Sequence, residues 1–251
     1  MYINEYGDSS LPKIILLHPM ELTGTELYER FAAHLKGEYC VIAPDQGGHG
    51  RSGPYISLKD ELTVLKGYLL EKGYTKIRLL YGASMGAAAA YELLKDPAFY
   101  FEGVWLDGGA FAKKAPFMNW MMRTMFLRKA RQLKRNPAAP ARRLASLYGE
   151  ETADMMKQNF MRLSTDDIIR ICEVCSFRVL EELPTELQKN IHIEWGEADP
   201  DYRISRRALP AYFPQAEVVI RKSYGHCGYM TFHTKEYVEE MERFCRSKEG
   251  G

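Results

Sequence analysis

The sequence predicts an α/β fold, with a mostly parallel sheet flanked by helices and interrupted by one helical insertion. Three observations carry this expectation. Short apolar runs rich in Ile, Leu and Val alternate with stretches of helical periodicity up to about residue 110. The strand signal then vanishes from Phe111 to Lys189, in a segment rich in Met, Arg and helical spacing, and two further apolar runs follow it. The insertion therefore interrupts one core, which is expected at 1–110 and 187–251, with a helical cap at 111–186.

The strand candidates are Lys13 to Leu17, Tyr39 to Pro44, Lys76 to Tyr81, Glu102 to Leu106, Ile191 to Trp195 and Ala216 to Arg221. Near-continuous apolar runs of this kind suit strands buried on both faces. Between the first two, Thr23 and Glu26 form a capping-box pattern, Leu27, Phe31 and Leu35 share one helical face, and Gly37 can end the helix. Ser57 to Leu70 repeats the design, with Leu58, Leu62, Leu65 and Leu69 at core spacing and Gly73 as the stop. No internal repeat or low-complexity tract interrupts the pattern.

The composition narrows the function classes. A chain of 251 residues with 46% hydrophobic and 27% charged residues is an ordinary globular protein that can bury one large core. Its 34 basic and 33 acidic residues leave a net charge of +1, so no overall footprint for nucleic acid exists. No window approaches the ~18 apolar residues of a membrane span, and the start, Met1-Tyr2-Ile3-Asn4-Glu5, lacks a secretory pattern. A cytoplasmic protein without stable membrane insertion is the expectation, with a homodimer left open. Five cysteines, an odd number scattered from Cys40 to Cys245, suit a reducing compartment better than a disulfide framework.

The residues that carry chemistry begin with Gly82-Ala83-Ser84-Met85-Gly86, a G-x-S-x-G between an apolar strand and an Ala-rich helix. A sharp strand-to-helix turn with flanking glycines projects a serine above the sheet. A capping serine in an ordinary glycine turn is the bland alternative. A serine nucleophile needs a histidine base and an acid that holds it. In this architecture the partners follow the serine in the order acid, then histidine, so His192, His226 and His233 compete. His192 stands inside a strand and His233 at the start of the last helix, which leaves His226, in the loop after the last strand. Asp199, in Trp195-Gly196-Glu197-Ala198-Asp199-Pro200, is the preferred acid, with Pro200 fixing the chain after it; Asp107, after an earlier strand, is the alternative. The oxyanion donors are expected to be the amides of Met85 and, because Pro19 has none, of Met20.

With these pieces together the sequence resembles the α/β-hydrolase superfamily. The His18 loop, Asp45-Gln46-Gly47-Gly48-His49-Gly50-Arg51-Ser52, the Ser84 elbow, the Asp199 loop and Gly225-His226 carry the resemblance. It implies that Asp45 to Ser52 is a structural loop, so that His49 is no catalyst, and that a cap covers the site between the strand ending at Leu106 and the strand at Ile191. Pro19 departs from the glycine usual after the histidine of that loop.

The leading expectation is a carboxylesterase-like serine hydrolase that takes a small-molecule substrate and implies no metal or cofactor. Carbon–carbon bond hydrolysis or aminopeptidase activity on the same triad, and a non-catalytic ligand-binding protein on the scaffold, are the alternatives. Cys172 and Cys175 form a single C-x-x-C without a second pair and read as helical thiols rather than a zinc site. Trp120, Met121 and Met125, with Met118 and Met122, are candidates for lining a substrate pocket, although filling the insertion's own core is the more ordinary role. Residues 108–149 hold ten basic residues and no acid, while 150–189 supply nine acids against five bases. That asymmetry reads as a solvated face neutralised within the insertion, or as a basic helix, through Arg128 and Arg131, that holds an anionic substrate.

Overall fold

The computed structural model describes residues 1–111, 116–137, 142–176 and 180–248, which leaves Lys113, Lys114, Pro140 and the side chains of Met118 and Arg143 outside the described residues. In chain order the elements are β1 (Glu5–Tyr6), β2 (Lys13–Leu17), α1 (Gly24–Ala32), β3 (Cys40–Ile42), α2 (Leu58–Glu71), β4 (Lys76–Ala83), α3 (Met85–Leu94), β5 (Tyr100–Phe101) and β6 (Val104–Asp107). The helices α4 (Pro116–Arg135), α5 (Arg142–Tyr148), α6 (Glu150–Arg162), α7 (Thr165–Ser176) and α8 (Thr185–Gln188) come next. The chain then returns through β7 (Ile191–Gly196), α9 (Pro200–Ser205), α10 (Leu209–Tyr212), β8 (Glu217–Arg221), α11 (Gly228–Phe232) and α12 (Thr234–Ser247).

The eight strands form one sheet in the order β1-β3-β2-β4-β6-β7-β8, with β5 beside β4. Every pairing is parallel except β1 with β3. This is the α/β-hydrolase fold, and its alternating strand residues feed two cores. Ile15, Leu17, Ile42 and Leu80 point to one face, where Leu62, Leu65 and Leu69 of α2 and the alanines of α3 cover them. Ile14, Leu16, Val41 and Tyr81 point to the other, under Leu27 and Phe31 of α1 and Tyr237, Val238 and Met241 of α12.

The helix ends follow local chemistry. Thr23 caps α1 with both arms of a capping box, its hydroxyl accepting from the Glu26 amide at 3.1 Å and the Glu26 carboxylate accepting from its own amide at 2.8 Å. Ser57 caps α2 by accepting from the Asp60 amide. Gly73, with a φ of 71°, ends α2 as expected, its amide bonding Leu70 and that of Tyr74 bonding Leu69 in a Schellman pattern. By contrast α1 ends at Ala32, before Gly37; the His34 and Leu35 amides both bond the Phe31 carbonyl, and the Glu242 carboxylate on α12 then accepts the amides of Lys36 and Gly37. Strand β3 is shorter than its apolar run. The Ala43 amide still bonds the Asn4 carbonyl opposite it, but Pro44 has no amide to donate. The two-residue strands β1 and β5 are too short to show a periodicity.

Among the helices between β6 and β7, Phe160, Leu163, Ile168, Ile171 and Cys172 form a third apolar cluster, joined from the core by Tyr55 and Met85. Phe111, Leu180 and Leu183 instead pack into the first core cluster. Among the described residues no helix is long and apolar enough to cross a membrane. None of the five cysteines is in a disulfide; Cys172 is buried on α7 and Cys175 half-buried beside it.

Candidate active site

Ser84 stands between β4 and α3 with φ 51° and ψ −109°, a left-handed backbone that a serine adopts only where its surroundings impose it. The imposing contacts are close. A Cβ on Gly86 would lie 2.0 Å from the Leu17 carbonyl oxygen, and one on Gly82 would lie 2.4 Å from that of Gly86, so the turn admits only glycine at both places. The Ser84 amide donates to the Asp107 carbonyl at 2.7 Å, which pins the turn to β6.

His226 follows β8 in the loop before α11, with its side chain 32% exposed, so that one edge faces an open cavity. Its Nε2 lies 2.8 Å from Ser84 Oγ and its Nδ1 2.9 Å from Asp199 Oδ2. Asp199 is fully buried at the N-cap of α9, where Pro200 opens the helix and Oδ1 accepts the Asp201 amide at 2.8 Å. With Asp199 accepting the Nδ1 proton, Nε2 is left free to accept the serine proton. Burial works against a charged His226, yet Cys227 and the Asp199 carboxylate outweigh it and raise the imidazole's pKa well above its ordinary value. Burial pushes the Cys227 thiol up to about 12. Burial also raises the Asp201 carboxyl to about 6, and its Oδ2 lies 3.8 Å from Nδ1. Donor atoms of Asp199, Asp201 and His226 lie within 4.8 Å of one another, and this is the cluster of the described residues with metal-ligand spacing. A cation there would have to displace the Nδ1 proton.

Asp107 is buried at the end of β6, and its carboxylate accepts from the Tyr237 hydroxyl at 3.0 Å rather than from His226. Burial, with Glu194 nearby, raises its pKa well above the carboxylate range. His192 is stacked on Trp105 at 3.5 Å and lies between the carboxylates of Glu194 and Glu217. His233 caps α12. His49 is buried, with Nδ1 bonded to the Gly47 carbonyl and Nε2 facing the Glu21 amide. The Asp45-to-Ser52 loop is held by the Asp45 carboxylate, which accepts the amides of Gly24 and Arg51.

The loop after β2 is braced in the same way. His18 accepts the Gln46 amide at Nε2, so its Nδ1–H donates to the Pro19 carbonyl at 2.8 Å; burial lowers its pKa to about 3, and the ring stays neutral. With proline after His18, the left-handed residue of this loop is Glu21, at φ 76°. Among the described residues the Met20 amide makes no hydrogen bond, and the Met85 amide, first in its helix, has no intrahelical acceptor.

A cavity of about 880 Å³ opens over Ser84 and His226. Trp120, Met121 and Met125 of α4 line it, whereas Met122 packs into the third apolar cluster, so the candidates from that helix divide between cavity and core. Tyr148 of α5 also lines it and donates to the His226 carbonyl at 3.1 Å. Of the polar residues of the wall, Glu21 escaped the sequence reading. Glu21 is buried and accepts from Lys129 Nζ of α4 at 2.6 Å, and its carbonyl accepts from Asn159 of α6. The absence of acids from residues 108–149 was the available signal, because an inward base there must find its partner elsewhere.

The sequence matches the model of the Alpha/beta hydrolase family over residues 14–240. The chain belongs to that family. Solved structures of the same fold include a carboxylesterase of the ammonia-oxidizing thaumarchaeon Nitrososphaera gargenis, at 16% identity and a TM-score of 0.75, covering 98% of this chain and 94% of that one. A thermophilic esterase from Thermogutta terrifontis gives 18% identity and a TM-score of 0.74, over 98% of this chain and 93% of that one. A bromoperoxidase from Bacillus anthracis gives 16% and 0.73, over 97% and 94%. At such identities these α/β hydrolases are similar in fold alone. No curated protein sequence matches the chain.

Proposed function

We propose that this α/β hydrolase is a serine hydrolase that cleaves a carboxylic ester through an acyl-enzyme on Ser84. The observation that carries the proposal is the unbroken line from Asp199 Oδ2 through His226 to Ser84 Oγ, at 2.9 and 2.8 Å. His226 Nε2 takes the Ser84 proton as Oγ attacks the ester carbonyl, and Asp199 stabilises the imidazolium that forms. The amides of Met20 and Met85 receive the developing oxyanion. The imidazolium then protonates the leaving alcohol, and a water deprotonated by His226 releases the acid.

In this reading residues 1–110 and 187–251 are the catalytic core and 111–186 the cap. Trp120, Met121 and Met125 give the cavity an apolar wall, and their soft side chains suit an acyl chain. A panel of p-nitrophenyl esters, thioesters and amino-acid arylamides tests the class of bond. Esters are expected to turn over well above the others; preferential arylamide cleavage would make the chain an aminopeptidase, and binding without turnover of any would make it a ligand-binding protein.

A further inference from the structure

The walls of the cavity are unequally charged. Five cationic side chains line it, Arg30, Arg128, Lys129, Arg142 and Lys157, against one carboxylate, Glu21. Glu21 is already taken by Lys129 at 2.6 Å, so this pair cancels inside the wall. Arg30, on α1, bonds neutral acceptors, the Thr152 hydroxyl at 3.0 Å and the Thr231 carbonyl at 3.4 Å. Glu151 and Glu26 are acids whose charge reaches it, and the Glu26 carboxylate is engaged by Thr23 and Asn159. Arg128 on α4 and Arg142 on α5 are exposed and, among the described residues, have no carboxylate partner.

Among the described residues, the ion pair made by a base of 108–149 runs to Glu21 and not to an acid of 150–189. The two arginines singled out by the sequence also part company, since Arg128 lines the cavity and Arg131 does not. The remaining walls include Trp120, Met121, Met125, Leu144 and Met156, an apolar lining against which the body of a ligand can pack. A ligand complementary to these walls has an apolar body and a negative end.

We infer that the cavity selects esters carrying an anionic group, such as a carboxylate, at the far end of an apolar chain, held by Arg128 and Arg142. This rests on reading the cavity as the ester site, so binding is measured apart from turnover. In Ser84→Ala, quenching of the cavity's Trp120 fluorescence reports the dissociation constants of monomethyl octanedioate and of its neutral dimethyl ester. The monoanion is expected to bind about fivefold to tenfold more tightly in low salt. Adding Arg128→Gln and Arg142→Gln, or raising the salt, is expected to abolish that preference. In the chain with Ser84 intact, the same two substitutions should lower the ratio of kcat/KM for the p-nitrophenyl hemiester of octanedioic acid to that for p-nitrophenyl octanoate. Equal binding of the two octanedioates, or a preference untouched by the substitutions and by salt, overturns the inference even if both esters are hydrolysed. Failure to hydrolyse either would count against the serine-hydrolase reading, while the binding preference would still report on the charge of the ligand.

Discussion

At the scale of single residues, two carboxylates compete to hold His226, and their surroundings differ. Asp199 accepts the Nδ1 proton, whereas Asp107 is occupied by the Tyr237 hydroxyl. An asparagine at the true partner presents the wrong tautomer to the serine. Asp199→Asn is therefore expected to lower kcat by up to ~10⁴-fold, and Asp107→Asn far less; the reverse order in steady-state kinetics would move the acid to β6. The pH profile provides a second check. His226 is the base only when neutral, and its pKa is raised, so the neutral form appears at higher pH than for a free imidazole. The rising limb of kcat/KM should have its midpoint above ~6.5. A midpoint below that, or a flat profile between about pH 5 and 8 with the fold intact, contradicts a base held by Asp199.

At the scale of elements, the first helix does more than cross the sheet. The Glu26 carboxylate closes the capping box with Thr23 and also accepts from Asn159 at 2.7 Å, so the start of α1 is tied to α6. Thr23→Ala removes the side chain that satisfies a helix amide and should cost about 1 kcal/mol in urea unfolding. An unchanged midpoint and slope would mean that Asn159 and the β2 loop hold the helix start without the cap. This box was legible because it is written in four consecutive residues, as were the Ser57 cap and the Gly73 stop. The end of α1 was not, because the segment that follows it is held by Glu242, some two hundred residues on. The strands β1 and β5 exist by pairing rather than by pattern, and no local signal announces two residues.

At the scale of the whole molecule, the alternation of apolar runs and helices was enough to expect the parallel sheet and its helical interruption. The family match and the strand order agree with that fold. The Ser84, Asp199 and His226 loops could be read one by one because each follows a strand, and in the fold their side chains come into one hydrogen-bonded line. Glu21 and the division of α4 between cavity and core were hidden, since both depend on how the inserted helices settle on the sheet. The excess of bases at 108–149 was legible despite a net charge of +1, but which of them face the cavity was not. The most direct measurement is the mass of the enzyme quenched in acid during turnover of a p-nitrophenyl ester, followed by peptide mapping. An acyl adduct on the peptide containing Ser84, absent from Ser84→Ala along with all but ~10⁻⁴ of kcat or less, is the expected result. An adduct on another residue, or a Ser84→Ala variant that keeps most of its kcat, would contradict the assignment of Ser84 as the nucleophile.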